Sequence, residues 1–195
     1  MPPLPGGDDW SHYDHGPDGN PVSKDTVLST APFGVQWWAK PWAESGHAGP
    51  DVHVASAGRI FSATSNNAND VFAGGRLIAR SIYNGEILWS RPYNKKNFGR
   101  YASLLAATPQ RVFFKEDNRV LLLSAETGAE LLRITATDET RDCIWLAVSD
   151  GVLLTLAGPR HTYTGEEWLG RGDAGIREKS LCLGQELAAW DAWIC

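Results

Sequence analysis

The chain has 195 residues, with 18 basic residues against 23 acidic ones and a formal net charge of −5. That length can bury a core without metal or disulfide staples, and the acidity argues against a general polyanion binder, whose affinity comes from Lys and Arg on phosphates. Hydrophobic residues at 43% with 21% charged exclude a disordered chain, while 20 Gly and 11 Pro promise many turns.

Residues 1–33 are rich in Pro, Gly and Asp and carry no helical or strand periodicity. The first residues, Met1 to Asp9, have no basic n-region and no apolar h-region, so they do not read as a signal peptide. Asp8, Asp9, Asp14, Asp18 and Asp25 face one basic residue, Lys24, and His15 to Pro21 packs turn formers together. The expectation is an irregular lead-in lying on a folded body, with Trp10 and Tyr13 as its anchors.

From Phe33 the texture changes to short apolar runs between turn signals, and a repeat emerges. Gln36-Trp37-Trp38-Ala39-Lys40-Pro41-Trp42 lines up with Ile87-Leu88-Trp89-Ser90-Arg91-Pro92-Tyr93, which sets Trp38 against Trp89. Leu77 to Trp89 aligns without gaps on Val120 to Leu132 at an offset of 43 residues. Each copy reads as a strand, a tight turn closed by Asn84-Gly85 or Thr127-Gly128, and a second strand. Upstream hairpins recur as Val54–Phe61, Ala106–Phe113 and Leu146–Leu154. Four short strands in a repeat of that length are what a propeller blade requires, and the helical spacing of a solenoid is missing. The third copy is stretched by a polar, glycine-punctuated insertion, Gly158 to Gly175, before Leu187–Trp193 restarts the strand motif. The longest apolar stretch, Cys143 to Gly158, is broken by Ser149-Asp150-Gly151 and reads as two strands, not a membrane span.

These residues resemble the pyrroloquinoline-quinone (PQQ)-like propeller repeats, whose blade signature is Ala-x-Asp-x-x-Thr-Gly-x-x-x-Trp. Ala79, Gly85 and Trp89 match it, with Ser81 for the Asp and Asn84 for the Thr. Thr127 and Gly128 match in the second copy, with Ser124 for the Asp and Leu132 for the Trp, and Ala189 and Asp191 match in the third. Trp10 and the run His15 to Ser23 are similar to the lead-in of large bacterial proteins carrying such repeats. The resemblance implies an all-β partial β-propeller of about two and a half four-stranded antiparallel blades, over residues 34–195, with blades near 46–98, 99–140 and an incomplete 141–195. It makes Trp38 and Trp89 inter-blade core residues. It also implies a fragment of a larger protein, or self-association to close the ring, and an exported or periplasmic setting if the full-length protein carries a signal.

Other motifs carry little chemistry. His12, His15, His47, His53 and His161 have no metal-ligand spacing and read as turn or surface residues. Cys143, Cys182 and Cys195 fit neither a zinc pattern nor a disulfide framework and read as small buried apolar residues. Gly170-x-Gly172-x-x-Gly175 has no strand leading into it, so it is not a dinucleotide site, and Arg171-Gly172-Asp173 is too short to carry weight. Arg91, Lys95, Lys96 and Arg100, interleaved with Tyr93 and Phe98, read as a solvated charged face between blades and not as a nucleic-acid groove. The Asp-rich lead-in lacks the spacing of a calcium loop. No catalytic or cofactor-binding position can be carried over from the family. The functional expectation is therefore a non-catalytic binding or scaffolding module without a metal site. The alternative is a piece of a PQQ-dependent alcohol or sugar dehydrogenase that would use PQQ with calcium.

Overall fold

The computed structural model describes residues 5–27, 34–38, 50–64, 75–93, 105–116, 118–135, 137–159 and 186–192. Its strands are β1 (Pro50–Ser56), β2 (Arg59–Thr64), β3 (Gly75–Ser81), β4 (Ile87–Tyr93), β5 (Leu105–Ala107), β6 (Arg111–Glu116), β7 (Arg119–Ser124), β8 (Glu130–Thr135), β9 (Arg141–Ser149), β10 (Val152–Pro159) and β11 (Glu186–Asp191). They form three antiparallel sheets in simple up-and-down order: β1-β2-β3-β4, β5-β6-β7-β8 and β9-β10-β11. This is an all-β partial propeller, with two four-stranded blades and a third blade showing three strands among the described residues.

The blades stack through two apolar layers. One joins Val54, Phe61, Leu77, Ala79 and Trp89 of the first blade to Val112, Phe114, Leu121 and Leu123 of the second. The other joins Phe113, Val120 and Leu122 of the second blade to Cys143, Leu146, Val148 and Leu153 of the third. Neighbouring residues of β6 and β7 thus go to opposite layers, as the two-residue side-chain period of a strand demands. That explains why Val120-Leu121-Leu122-Leu123 shows no polar alternation: the middle blade is covered on both faces.

The same hydrogen bonds recur from blade to blade. The amides of Ile82, Ala125 and Ala192 donate to the carbonyls of Gly58, Gln110 and Gly151 at 3.0, 2.9 and 2.7 Å, tying the end of each third strand to the first hairpin turn. Ala57-Gly58 and Asp150-Gly151 take positive φ at both positions, a hairpin turn that matches strand twist. In the Asn84-Gly85 and Thr127-Gly128 turns, by contrast, the glycine alone lies at positive φ, 71° in both. These turns span more than two residues, since the Gly85 and Gly128 amides reach back to the carbonyls of Ser81 and Ser124. Ser81 and Ser124 replace the signature Asp competently: their hydroxyls accept the amides of Tyr83 and Thr127.

Trp89 lies where its signature predicts. Its indole sits on Gly128, where an added Cβ would fall 2.6 Å from Cε3, and its Nε1–H donates to the Ala125 carbonyl at 3.1 Å. Trp38 does not fulfil the same expectation. It is 87% exposed, and its neighbour Trp37 takes the role: Trp37 lies over Gly85 and donates to the Ile82 carbonyl at 2.7 Å. The comparison through Pro41 and Pro92 is one residue out of register, and in extended chain one step reverses the face.

Trp89→Ala should cost about 3–5 kcal/mol by emptying the layer between the first two blades. Gly128→Ala should cost about 1–3 kcal/mol because the new methyl overlaps the indole. Urea titrations followed by circular dichroism should give lower midpoints for both than for any substitution in residues 5–8, and equal midpoints would refute the stacking role.

Candidate functional site

The lead-in is a built element and runs across the blades. The Trp10 carbonyl accepts the Ala55 amide at 2.6 Å, the Ser11 carbonyl accepts the Ala107 amide at 2.9 Å, and His12 Nε2 accepts the Val148 amide at 2.9 Å. Ala55, Ala107 and Val148 are equivalent positions, each four residues ahead of the next strand, on the first strand of each blade. Those first strands are sheet edges, with amides left over from the ladder. Three successive lead-in residues therefore cap the same edge amide in three successive blades, forming a strap along their inner margin.

Side chains hold the strap in shape. His15 Nε2 meets Asp8 Oδ2 at 2.6 Å, and its Nδ1 pairs with the Asn20 carbonyl at 3.1 Å. Asp8 also accepts the Lys24 amide and the Ser23 hydroxyl, and these donors hold its carboxyl below the usual carboxylate range, the Lys24 amide most of all. Asp9 reaches into the first blade, accepting the Ser56 hydroxyl at 2.8 Å and the Ala57 amide at 3.1 Å. Trp10 packs edge-on against His15 with ring centroids 5.1 Å apart.

His12 and His15 close a turn, as their Pro/Gly-rich surroundings suggest, but they are buried linchpins of it and not surface histidines. Of the two expected anchors, Trp10 is one through its backbone and ring, whereas Tyr13 is 42% exposed and contributes its carbonyl to the Trp10 indole N–H. Because His12 Nε2 accepts an amide, its ring proton sits on Nδ1 and donates to Ser11 Oγ at 2.8 Å. Burial pushes the His12 pKa down to about 4, with Asp18 opposing the shift.

The remaining candidates separate cleanly. Arg91 pairs with Glu130 of the second blade at 2.5 Å, and Tyr93 is buried edge-on against Phe114 at 4.8 Å, so this part of the basic run belongs to the inter-blade contact. His53 meets Ser62 across the first hairpin. Cys143 is buried, and desolvation pushes its thiol up to about 11, as suits an inert apolar residue. His47, His161, Lys95, Lys96, Phe98, Arg100, Cys182, Cys195, Gly170, Gly172, Gly175 and the Arg171–Asp173 tripeptide lie outside the described residues. Asp18 and Asp25 accept the amides of Asn20 and Val27, capping turns within the strap.

Two features escaped the sequence reading. Arg59 and Arg111 occupy equivalent strand starts and both reach the next blade, to the carbonyls of Pro109 and Ala192. Beside Arg111 a cavity of about 210 Å³ opens between the turns of the second and third blades, walled by Thr108, Gln110, Phe113, Val148 and Asp150. The recurring arginine was readable from the aligned hairpins, but nothing in a hairpin pattern tells how far its side chain extends.

No family model matches the chain, and no curated protein matches it. Among solved structures it is similar to a europium-containing methanol dehydrogenase, with 11% identity, TM-score 0.48, 80% of this chain covered and 28% of the other. It is also similar to a quinohemoprotein alcohol dehydrogenase from Comamonas testosteroni, with 13% identity, TM-score 0.47 and coverages of 77% and 23%. BamB from Moraxella catarrhalis gives 13% identity, TM-score 0.36 and coverages of 72% and 42%. The chain thus spans less than half the length of each of these proteins.

His12 sets a pH dependence. Its folded pKa of about 4 lies below the ordinary 6.5, so the unfolded chain takes up this proton first. The stability it contributes is complete above pH 6.5 and is lost as pH falls toward 4; Asp8 titrates below that window. Urea midpoints measured from pH 7.5 to 4 should fall, and His12→Gln, which keeps an acceptor without a titrating ring, should flatten the slope. An unchanged slope in His12→Gln would place the acid sensitivity elsewhere.

Proposed function

We propose that this chain is a non-catalytic propeller segment acting as a binding or scaffolding module within a larger assembly. On this reading residues 1–33 are the lead-in and residues 34–195 the propeller part, with blades near 46–98, 99–140 and 141–195. The strap is the observation that carries the reading. One inner-strand amide in each of the three blades is already engaged, by Trp10, Ser11 and His12 of the chain itself. This end of the stack is therefore a fixed protein surface, edged by the exposed Tyr13, Val22 and Val27 beside acidic turns. Such a surface suits a protein partner better than a buried small-molecule site.

Asp8, Asp9, Asp18 and Asp138 each give at least one carboxylate oxygen to a backbone amide or hydroxyl of the chain, which supports this reading over one with PQQ and calcium. No group of three or more His, Cys, Asp or Glu side chains stands together for a cation among the described residues. The dehydrogenase alternative makes the opposite forecast for one experiment. Adding PQQ and calcium to the folded chain should leave its tryptophan emission and melting temperature unchanged. Saturable quenching with a rise in melting temperature would overturn the scaffold reading.

A further inference from the structure

The three caps of the strap are not chemically alike. Ala55 and Ala107 donate to the backbone carbonyls of Trp10 and Ser11, acceptors without a titrating group. Val148 donates instead to a side chain, His12 Nε2 at 2.9 Å, in a buried contact. The other ring nitrogen lies 2.8 Å from Ser11 Oγ and holds the single ring proton. A second proton can go only onto Nε2, where it takes the lone pair that Val148 uses. Two N–H groups then point at each other, and the ring has to leave.

The ring can leave without taking the strap with it. The His12 backbone is pinned to His15 by two amide–carbonyl bonds of 3.2 Å, and the His15 ring meets an oxygen at each nitrogen, from Asp8 and from the Asn20 carbonyl. Asp8 is held below the usual carboxylate range, by the Lys24 amide first and His15 second, so it stays charged while His12 titrates. The third blade stays as well. Cys143, Leu146 and Leu153 pack on Phe113, Val120 and Leu122, contacts that do not depend on charge.

Charged neighbours do not cancel the effect. The strap carries Asp8, Asp9, Asp14, His15 and Asp18. β9 and the turn after it carry Arg141, Asp142 and Asp150, Arg111 opens β6, and β5 has no charged residue. Among these described groups Asp18 acts on the His12 ring and favours the added proton, while burial opposes it more strongly. The proton is therefore refused near neutrality and accepted in acid.

We propose that His12 is an acid-opened latch on the third blade: a second ring proton expels the imidazole and bares the Val148 amide, while Trp10 and Ser11 keep the first two blades capped. The opening is local, with the strap and the stack remaining in place. A bared edge amide is a donor that an incoming strand or loop of another protein can take up. Acid thus makes one blade of the three receptive at its inner margin. The latch follows from the His12 geometry and holds whether or not the chain is a scaffold. A urea slope reports the energy that His12 contributes, and not where the chain opens.

Amide hydrogen exchange resolved by NMR on the whole chain reads the three caps separately. After correction for the pH dependence of free-amide exchange, protection at Val148 should fall by roughly fifty- to a hundredfold between pH 7.5 and 4.5, as a ring pKa lowered from 6.5 to about 4 dictates. Protection at Ala55 and Ala107 should stay constant, and His12→Gln should flatten the Val148 profile. Constant protection at Val148 overturns the proposal. So does a parallel fall at all three amides, which would mean that the blades come apart together, and so does a fall at Val148 that persists in His12→Gln. The three amides of the unaltered chain decide the matter even where His12→Gln does not fold.

Discussion

The structure depends on an indole laid flat against a glycine. Gly85 and Gly128 both sit at φ 71°, and each has a tryptophan ring where a side chain would begin. Glycine is needed twice over at such a place, for the left-handed backbone and for the missing Cβ. The ring covers apolar surface, while its N–H finds a carbonyl three residues before the glycine, so burial leaves no donor unsatisfied. Because Trp89 comes from the first blade and Gly128 from the second, that pair fixes how the two sheets are set against each other. The apolar rows between sheets and the reach of Arg59 and Arg111 across the same gaps follow from that setting.

Stacked sheets solve the problem of their faces and create one at their edges. Every first strand presents amides with no neighbouring strand, and a protein commonly blunts such edges with charge, proline or a covering segment. Here a covering segment serves, and it draws its stiffness from Asp8 and His15. Charge plays a smaller part at the outer margin. Arg91, Glu130 and Arg133 form a partly exposed cluster between the first two blades, and pairs of that kind contribute ~0–1 kcal/mol each. The packed layers, not these ion pairs, hold the blades together.

Much of this architecture was legible in the sequence because blades repeat. The 43-residue echo between Leu77–Trp89 and Val120–Leu132 locates the second hairpins, and Thr127-Gly128 and Trp89 locate the seam. Legibility fails where a contact depends on register or on distance along the chain. Trp37 and Trp38 differ by one step, and proline alignment picks the wrong ring. The strap fails for another reason: its residues show no periodicity, because they match an edge in space and not a face of their own. His12 and His15 in a Pro/Gly-rich run carry the signature of a loop, and only the position of Val148 turns His12 into a cap.

The His12–Val148 bond closes a loop of 136 residues. The entropy of closing so long a loop cannot be recovered by one hydrogen bond, so the contact forms once three blades have stacked and brought the ends together. Trp10 needs the first blade, Ser11 the second and His12 the third. The strap therefore closes only when all three blades are in place, and His12 registers that the third has joined the first two. Contacts of such sequence separation slow folding, and in this chain they concentrate in the few residues that hold the inner edges shut.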